Sequence, residues 1–201
     1  MKKVGIVNYN SGNIRSIISA VNHIGLESIL LKDKNDLSKV SHIILPGVGS
    51  FGHCITELKK NFMYKELKEK KIKLPILGIC VGYQLLFQSS QEDNGYYGLN
   101  FFNKKMVKFP EKDNFKVPHV GWNEVIFKKN CGFFQSKKKY NFYFDHSYMV
   151  KPFKNTIGVT QHSELFTSVV QINNILACQF HPEKSQNNGL EFLKYFFSNY
   201  A

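Results

Sequence analysis

The stretch Pro75-Ile-Leu-Gly-Ile-Cys80-Val-Gly-Tyr-Gln84 decides the fold of this chain. Its apolar run at residues 76–79 predicts a buried strand, and the pattern that follows predicts a helix over residues 84–90. Cys80 therefore stands at a sharp strand-to-helix turn, where two flanking glycines leave room for a tight backbone and an approaching substrate. The N-terminus of the following helix favours thiolate over thiol. The pattern predicts a nucleophile, and the alternative is a buried structural cysteine.

A second motif, Ile175-Leu-Ala-Cys-Gln-Phe-His181-Pro-Glu183, lies far downstream. An apolar strand runs into His181, and we expect Pro182 to keep the backbone extended. Alternate side chains of an extended chain share one side, so Glu183 is expected to face His181. A carboxylate that orients an imidazole, which in turn activates a thiol, forms a nucleophilic triad. Alone, the motif could be a strand-end histidine beside an exposed acid; together with Cys80 it predicts a triad.

Strands and helices alternate along the first half of the chain. Strands are predicted at residues 4–8, 28–31, 42–45 and 76–79, and helices at residues 13–25, 51–60, 64–71 and 84–90. After residue 93, short strands are predicted at 105–109, 124–127, 140–144, 157–160, 166–172 and 175–180, before a helix at 189–200. This order predicts an α/β fold with a mostly parallel central sheet, helices on both faces and an added antiparallel region of short strands. We expect a single domain over residues 1–201.

The composition argues against several classes of partner. The net charge is +12, from 27 basic and 15 acidic residues, which raises the hypothesis of nucleic-acid binding. Arg15 is the only arginine, whereas base recognition depends heavily on arginine, so no nucleic-acid partner is expected. No stretch of 18 apolar residues occurs, which predicts no membrane segment. The four cysteines lack metal-ligand spacing, so we expect no metal site and a reducing, cytoplasmic location.

These residues resemble the class I, triad-type glutamine amidotransferases. The resemblance rests on Cys-x-Gly-x-Gln at the strand–helix turn and on the late His-Pro-Glu. Within that class, further segments resemble the glutaminase subunit of imidazole glycerol phosphate synthase. They are Asn8-Tyr-Asn-Ser-Gly-Asn13, Pro46-Gly-Val-Gly-Ser-Phe-Gly52, Pro118-His-Val-Gly-Trp-Asn123, Asp145-His-Ser-Tyr148 and His181-Pro-Glu-Lys-Ser185. The resemblance spans nearly the whole chain.

The resemblance implies hydrolysis of L-glutamine to glutamate and ammonia through a thioester on Cys80. No metal or organic cofactor is implied. The loop formed by Gly47, Val48 and Gly49 follows a strand, so its N–H groups, with that of Val81, could form the oxyanion hole. The alternative for the loop is an ordinary glycine-rich turn.

The resemblance also implies which residues hold the substrate. Gln84 lies one helical turn from Cys80 and, with Glu92, would bind the α-amino and carboxylate ends of glutamine. Glu92 could instead belong to a solvated helix end. The segment formed by His146, Ser147 and Tyr148 would contact glutamine through its backbone, although His146 alone would more often be structural.

A partner subunit is implied as well. The positions that match residues facing the partner in the resembling subunits are Asn10, Asn13, Trp122 and Lys184. Tryptophan is enriched at interface hot spots, although Trp122 could instead fill the core. The chain has no phosphate loop or second catalytic domain to use ammonia. The partner in the resembling system is a (β/α)₈-barrel cyclase of histidine biosynthesis.

Three departures from the family pattern keep other functions open. They are Tyr83, Asp145 and residues 98–103, which lack the usual Pro-Gly turn. The first alternative is the same glutaminase chemistry, supplying ammonia for amidation of a surface sugar. A cysteine hydrolase or peptidase on the same fold is a second, against which Gln84 and residues 118–123 weigh. A regulatory binding module with a vestigial triad is a third, and the intact triad weighs against it.

Overall fold

A nine-stranded mixed sheet forms the centre of the computed structural model, which describes residues 3–9 and 13–200. Five neighbouring strands run parallel, in the spatial order β2 (Ser28–Leu31), β1 (Lys3–Val7), β3 (Val40–Leu45), β4 (Ile76–Ile79) and β12 (Ile175–Cys178). The same sheet continues through antiparallel strands β11 (Leu165–Ile172), β10 (Thr156–Gln161), β7 (His119–Phe127) and β8 (Lys139–His146). The predicted α/β fold is confirmed, and the antiparallel strands extend the parallel sheet itself.

Five helices and a small second sheet complete the described fold. The helices are α1 (Ile14–His23), α2 (Phe51–Lys60), α3 (Phe62–Lys68), α4 (Val81–Gln84) and α5 (Gln186–Asn199). The small sheet contains β5 (Phe87–Ser90), β6 (Phe102–Lys108) and β9 (Tyr148–Met149). Short 3₁₀ turns span Lys34–Lys39, Glu92–Asn94 and Pro182–Lys184. None of these described helices is long and apolar enough to cross a membrane.

The helix predicted over residues 84–90 was wrong. Helix α4 ends at Gln84, and the apolar residues that follow lead into strand β5. The carbonyl oxygens of Leu85, Leu86 and Phe87 accept hydrogen bonds from the backbone of residues 99–102. A short apolar run fits a buried strand as well as a buried helix, so only this distant partner decides between them.

The parallel half of the sheet positions the candidate nucleophile. All four residues of β4 are buried, as are all four of β12, because both strands lie in the middle of the sheet. The two strands pair in parallel, with Ile79 opposite Cys178. Their carboxyl ends therefore meet at one edge, which is where ligands bind in parallel sheets. The residues that follow them, Cys80 and Gln179, are brought together there.

Candidate active site

Cys80 occupies the turn between β4 and α4. Its backbone has φ of 50° and ψ of −108°, a conformation that residues with a side chain rarely adopt. The Cys80 N–H donates to the carbonyl of Cys178 at 2.9 Å, which fixes the turn to β12. Gly82 makes the turn possible, because a Cβ at this position would lie 1.9 Å from the carbonyl oxygen of Leu45. The predicted strand-to-helix turn is therefore present.

The three candidate triad residues meet at this turn. Nδ1 of His181 lies 2.8 Å from Oε1 of Glu183, and the sulfur of Cys80 is close enough to the same ring to raise the pKa of His181. Because Nδ1 is engaged by the carboxylate, Nε2 is the nitrogen that remains for the sulfur. The side chains of His181 and Glu183 are only 3% and 2% exposed. The geometry thus has the order carboxylate, imidazole, thiol that nucleophilic catalysis requires.

The backbone brings Glu183 to His181 by a route that the sequence did not predict. His181 is extended, as expected before proline, but Pro182–Lys184 forms a 3₁₀ turn. The expectation that an extended strand would place both side chains on one side was therefore wrong. Proline favours the first position of a helical turn, and Oγ of Ser185 donates to the His181 carbonyl at 2.6 Å. The turn folds the carboxylate back towards the ring.

Two opposing effects act on the pKa of His181. Burial lowers this pKa, but the sulfur of Cys80 and the carboxylate of Glu183 outweigh burial, so the pKa is raised. Oε2 of Glu183 is buried and has no hydrogen-bond partner among the described residues. Among the described residues, the hydrogen bond of this carboxylate is the one between Oε1 and His181. The arrangement can hold an imidazolium beside a thiolate.

Gln179, which the sequence analysis did not single out, contacts the sulfur directly. Its Nε2 lies 3.8 Å from Sγ of Cys80, and its Oε1 accepts a hydrogen bond of 3.1 Å from Nε2 of Gln84. The carbonyl oxygen of Asp145 also lies 3.8 Å from Sγ. A sequence signal existed, because Gln179 precedes His181 by two residues and alternate residues of an extended segment share a side.

Of the residues predicted to bind substrate, Gln84 lies beside the cysteine turn and Glu92 lies at the start of α2. Gln84 is buried beside the sulfur through its contact with Gln179. Glu92 is half-buried, and its Oε2 accepts a 2.8 Å hydrogen bond from the N–H of Phe51, the first residue of α2. Burial raises the pKa of Glu92. The pKa of Tyr148 is also raised, first by burial and then by the negative charge of Glu92.

Comparison with known proteins places this geometry in a family. The model of the class-I glutamine amidotransferases matches residues 6–200. The chain belongs to this family. It is 39% identical over 197 residues to imidazole glycerol phosphate synthase subunit HisH 1 of Campylobacter jejuni, covering 96% of this chain and 98% of the relative. It is 41% identical to the HisH subunit of Methanocaldococcus jannaschii over 197 residues, covering 96% and 97%.

A solved structure supports the fold independently of sequence. The structure of PurLQS from Thermotoga maritima superposes with a TM-score of 0.75 at 20% identity, covering 98% of this chain and 99% of that chain. At this level of identity the likeness concerns the fold alone. The predicted class I amidotransferase fold is confirmed.

The candidate oxyanion loop of this amidotransferase packs on the cysteine turn. A Cβ on Gly47 would lie 2.6 Å from the backbone nitrogen of Gly82, so loop and turn are in direct backbone contact. Gly49 has φ of +114°, and Val48 is partly exposed. Val81 is buried immediately after Cys80. The loop therefore lies where an oxyanion hole is needed, while its role stays a prediction.

A chain of hydrogen bonds that starts at His146, the residue after Asp145, was also missed by the sequence analysis. The Tyr148 carbonyl can only accept, so Nδ1 of His146 donates to it at 2.8 Å. Nε2 of His146 then accepts from Nδ1 of His119 at 3.0 Å. Nε2 of His119 in turn accepts from Nδ2 of Asn123 at 3.0 Å. Both rings are buried and neutral in this chain, and burial lowers the pKa of each. His146 thus makes structural hydrogen bonds, in agreement with the structural role that the sequence analysis gave as its alternative.

His162, to which the sequence analysis assigned no role, joins this group. Its ring stacks on that of His119 with centroids 4.2 Å apart. The sequence predicts that the segment from His146 to Tyr148 contacts glutamine. The hydrogen bond from the His146 side chain to the Tyr148 carbonyl holds this segment in place.

Two of the four residues predicted to face a partner, Trp122 and Lys184, lie on one exposed surface. Trp122 is 49% exposed, so the alternative that it fills the core is wrong. Its ring packs edge-to-face on Tyr143, and Nζ of Lys184 lies 5.5 Å from the centroid of the same ring. Asn13 is exposed and caps α1 by accepting from the N–H of Ser16. Asn10 lies outside the described residues.

Proposed function

We propose that this chain is the glutaminase subunit of an imidazole glycerol phosphate synthase and hydrolyses L-glutamine to glutamate and ammonia. The observation that carries the proposal is the contact of Cys80, His181 and Glu183 at a strained strand-to-helix turn, in a chain of this family. The names of the relatives at about 40% identity supply the pathway, histidine biosynthesis.

The geometry supports a thioester mechanism. The thiolate of Cys80 attacks the side-chain carboxamide carbon of glutamine, and the negative charge moves to the amide oxygen. N–H groups of the loop at Gly47, Val48 and Gly49, together with that of Val81, stabilise this oxyanion. His181 gives its proton to the departing ammonia, and Glu183 keeps the imidazole in the productive tautomer. Water, deprotonated by His181, then hydrolyses the glutamyl thioester and releases glutamate.

Substrate recognition in this proposal uses charged and polar groups beside the turn. The carboxylate of Glu92 binds the α-ammonium group of glutamine. The amide of Gln84 and the backbone of residues 146–148 orient the rest of the molecule. We predict that no metal or organic cofactor takes part in these steps.

The ammonia is delivered to a separate cyclase subunit, which we propose to be a (β/α)₈ barrel. The surface of Trp122, Tyr143 and Lys184 supports this docking, because it combines an exposed aromatic anchor with a cation. A cytoplasmic location is part of the proposal.

The test is glutamate release from glutamine with and without a histidine-pathway cyclase and its ribonucleotide substrate. Stimulation by the cyclase that disappears in Cys80→Ala is the expected result. Turnover that ignores this cyclase but responds to a cyclase-like barrel for sugar amidation would favour the surface-sugar alternative. Absence of glutamine turnover with either partner would reject the glutaminase.

A further inference from the structure

We infer that Gln179 stabilises the thiolate of Cys80 and couples its protonation state to the orientation of Gln84. Gln179 follows the end of β12, where its backbone N–H donates to the carbonyl of Ser168 at 2.9 Å. Its side chain has no exposed surface. A primary amide carries two donors and one acceptor, so burial without partners would be costly. The inference rests on the proposed glutaminase function, because it concerns the same nucleophile.

The partners of Gln179 determine which way its amide points. Its oxygen faces the donating Nε2 of Gln84 at 3.1 Å, so its nitrogen faces the sulfur at 3.8 Å. A thiolate can only accept, which matches an N–H group aimed at it. The reversed amide would place its oxygen against a negative sulfur and its nitrogen against the nitrogen of Gln84. Both contacts therefore favour the same orientation.

The second polar contact of the sulfur favours the opposite protonation state. The carbonyl oxygen of Asp145, 3.8 Å from Sγ, can accept from a thiol but repels a thiolate. The sulfur thus lies between one group that stabilises the thiol and one that stabilises the thiolate. Removing the donor of Gln179 leaves only the carbonyl on this side, although His181 still acts from its own side. We expect the thiolate to form at higher pH without Gln179.

The contact with Gln84 extends the effect to substrate binding. Gln84 and Gln179 are both buried, so loss of the accepting oxygen frees Gln84 to rotate and leaves a buried donor unsatisfied. Gln179 is therefore a positioning residue for Gln84 as well as a donor to the reacting sulfur. A residue that merely fills space would affect neither the thiol pKa nor the pH profile.

The variant that tests this is Gln179→Met, which keeps the volume and removes both hydrogen bonds. The primary readout is the pH dependence of Cys80 alkylation by iodoacetamide, followed by mass spectrometry of the Cys80 peptide. We expect the midpoint to move up by about one pH unit, since a hydrogen bond to a charged group has roughly that effect. The acid limb of kcat/KM for glutamine should move with it, and KM should rise.

Tyr83→Phe is the matched control. Tyr83 is buried in α4 near Cys80, and its hydroxyl donates to the carbonyl of Thr167 at 2.8 Å without touching the sulfur. Its alkylation midpoint should equal that of the wild type. If Gln179→Met also keeps the wild-type midpoint while activity falls, Gln179 has only a packing role and the inference is overturned.

A second variant covers failure of Gln179→Met to fold. Gln179→Glu keeps an oxygen for Gln84 but replaces the donor by a carboxylate oxygen, so the midpoint should again rise while KM changes less. An unchanged midpoint in this variant would overturn the inference. Alkylation requires no glutamine turnover, so it separates the two claims. A shifted midpoint in a chain that never hydrolyses glutamine would reject the proposed function and retain the role of Gln179.

Discussion

Gly82 illustrates how a single residue shapes the site. It lies two residues after Cys80, where the cysteine turn passes over the end of β3. A Cβ at Gly82 would approach the carbonyl oxygen of Leu45 to 1.9 Å and that of Pro46 to 2.8 Å. These are backbone atoms of a buried strand end and cannot move aside as a flexible side chain can. The strained backbone of Cys80 is thus maintained by the close packing that Gly82 allows.

Gly82→Ala should lower the free energy of unfolding by about 3 kcal/mol or more, because the added methyl group collides with backbone atoms. Denaturant unfolding measures this loss. Gly25→Ala is the matched control, since Gly25 has φ of +83° but nothing within 4 Å of its Cβ. It should lose only about 1–2 kcal/mol, from backbone strain alone. Equal losses in the two variants would contradict the packing explanation.

Glu183 is a second single residue that shapes the site, through the effect of its charge on His181. Glu183→Gln keeps an oxygen for Nδ1 of His181 but removes the charge that helps to raise the pKa of this histidine. We expect kcat for glutamine hydrolysis to fall by roughly 10²-fold or more. The imidazolium should also lose its proton at lower pH, so the alkaline limb of the rate profile should move to lower pH. Steady-state kinetics between mild acid and alkali would measure both effects.

The control for this variant is Glu191→Gln on α5, where the carboxylate pairs with Lys194 on the surface. It should match the wild type in rate and in pH profile. A Glu183→Gln enzyme with unchanged kcat would show that the carboxylate has no part in turnover.

At the scale of elements, the strands β7 and β8 are joined by side chains as well as by their backbone ladder. His119 on β7 lies opposite His146 on β8 in the register, and their rings share the hydrogen bond. Asn123 extends the chain of hydrogen bonds and also donates to the carbonyl of Gln161 on β10 at 3.0 Å. Three strands and the segment that follows Asp145 are thus connected through neutral histidines. A proton added to this chain would place two donors against each other.

This arrangement predicts sensitivity to acid. An unfolded histidine binds a proton below about pH 6.5, whereas burial lowers the pKa of His119 to about 3. Between these values the unfolded chain binds more protons, so the free energy of unfolding falls as pH falls. The slope should be about 1.4 kcal/mol per pH unit for each such histidine. Denaturant unfolding at several pH values from 7 to 4 would measure it.

The variant His119→Gln should flatten this pH dependence, because one of the titrating groups is removed. His53→Gln serves as control, since His53 is exposed on α2 and should leave the slope as it is in the wild type. A slope that stays the same in His119→Gln would show that the buried chain does not govern the acid response.

At the scale of the whole molecule, the continuous sheet joins a parallel half with an antiparallel half. The candidate site forms where the halves meet, because Cys80 follows β4 and the residues from Gln179 to Glu183 follow β12. On the antiparallel half, alternate residues of β7 and β8 face outward. These include Val120, which is 55% exposed, and Trp122. Asp145, one of the departures from the family pattern, lies opposite Val120 in the register and is exposed as well.

Trp122→Ala should weaken docking of the cyclase without weakening the fold. Loss of a hot-spot aromatic costs about 2 kcal/mol, which corresponds to roughly 30-fold in affinity. Because Trp122 is exposed in this chain, the melting temperature should stay near that of the wild type. Titration of the cyclase against stimulated glutamate release would measure the affinity.

Phe133→Ala is the matched control for Trp122→Ala. Phe133 is similarly exposed, at 51%, but lies in the turn between β7 and β8, at the opposite end of the hairpin from the candidate site. It should leave the cyclase affinity unchanged. Equal losses from both variants would place the docking surface elsewhere.

The sequence by itself determined the α/β class, the strand-to-helix turn at Cys80 and the identity of the three triad candidates. These follow from local patterns: continuous apolar runs, small residues beside the cysteine, and a late histidine followed by an acid. Local pattern did not separate strand from helix at residues 84–90, because both bury an apolar run equally well. The expectation of one domain over residues 1–201 stays a prediction.

Only the tertiary structure decided how the distant groups meet. The pairing of β4 with β12 places Gln179 beside Cys80, and the 3₁₀ turn after His181, rather than an extended strand, delivers Glu183. The histidine chain likewise depends on the register of β7 against β8. These contacts join residues that are far apart in the chain. Their geometry depends on strand order and close packing, which cannot be read from local sequence patterns.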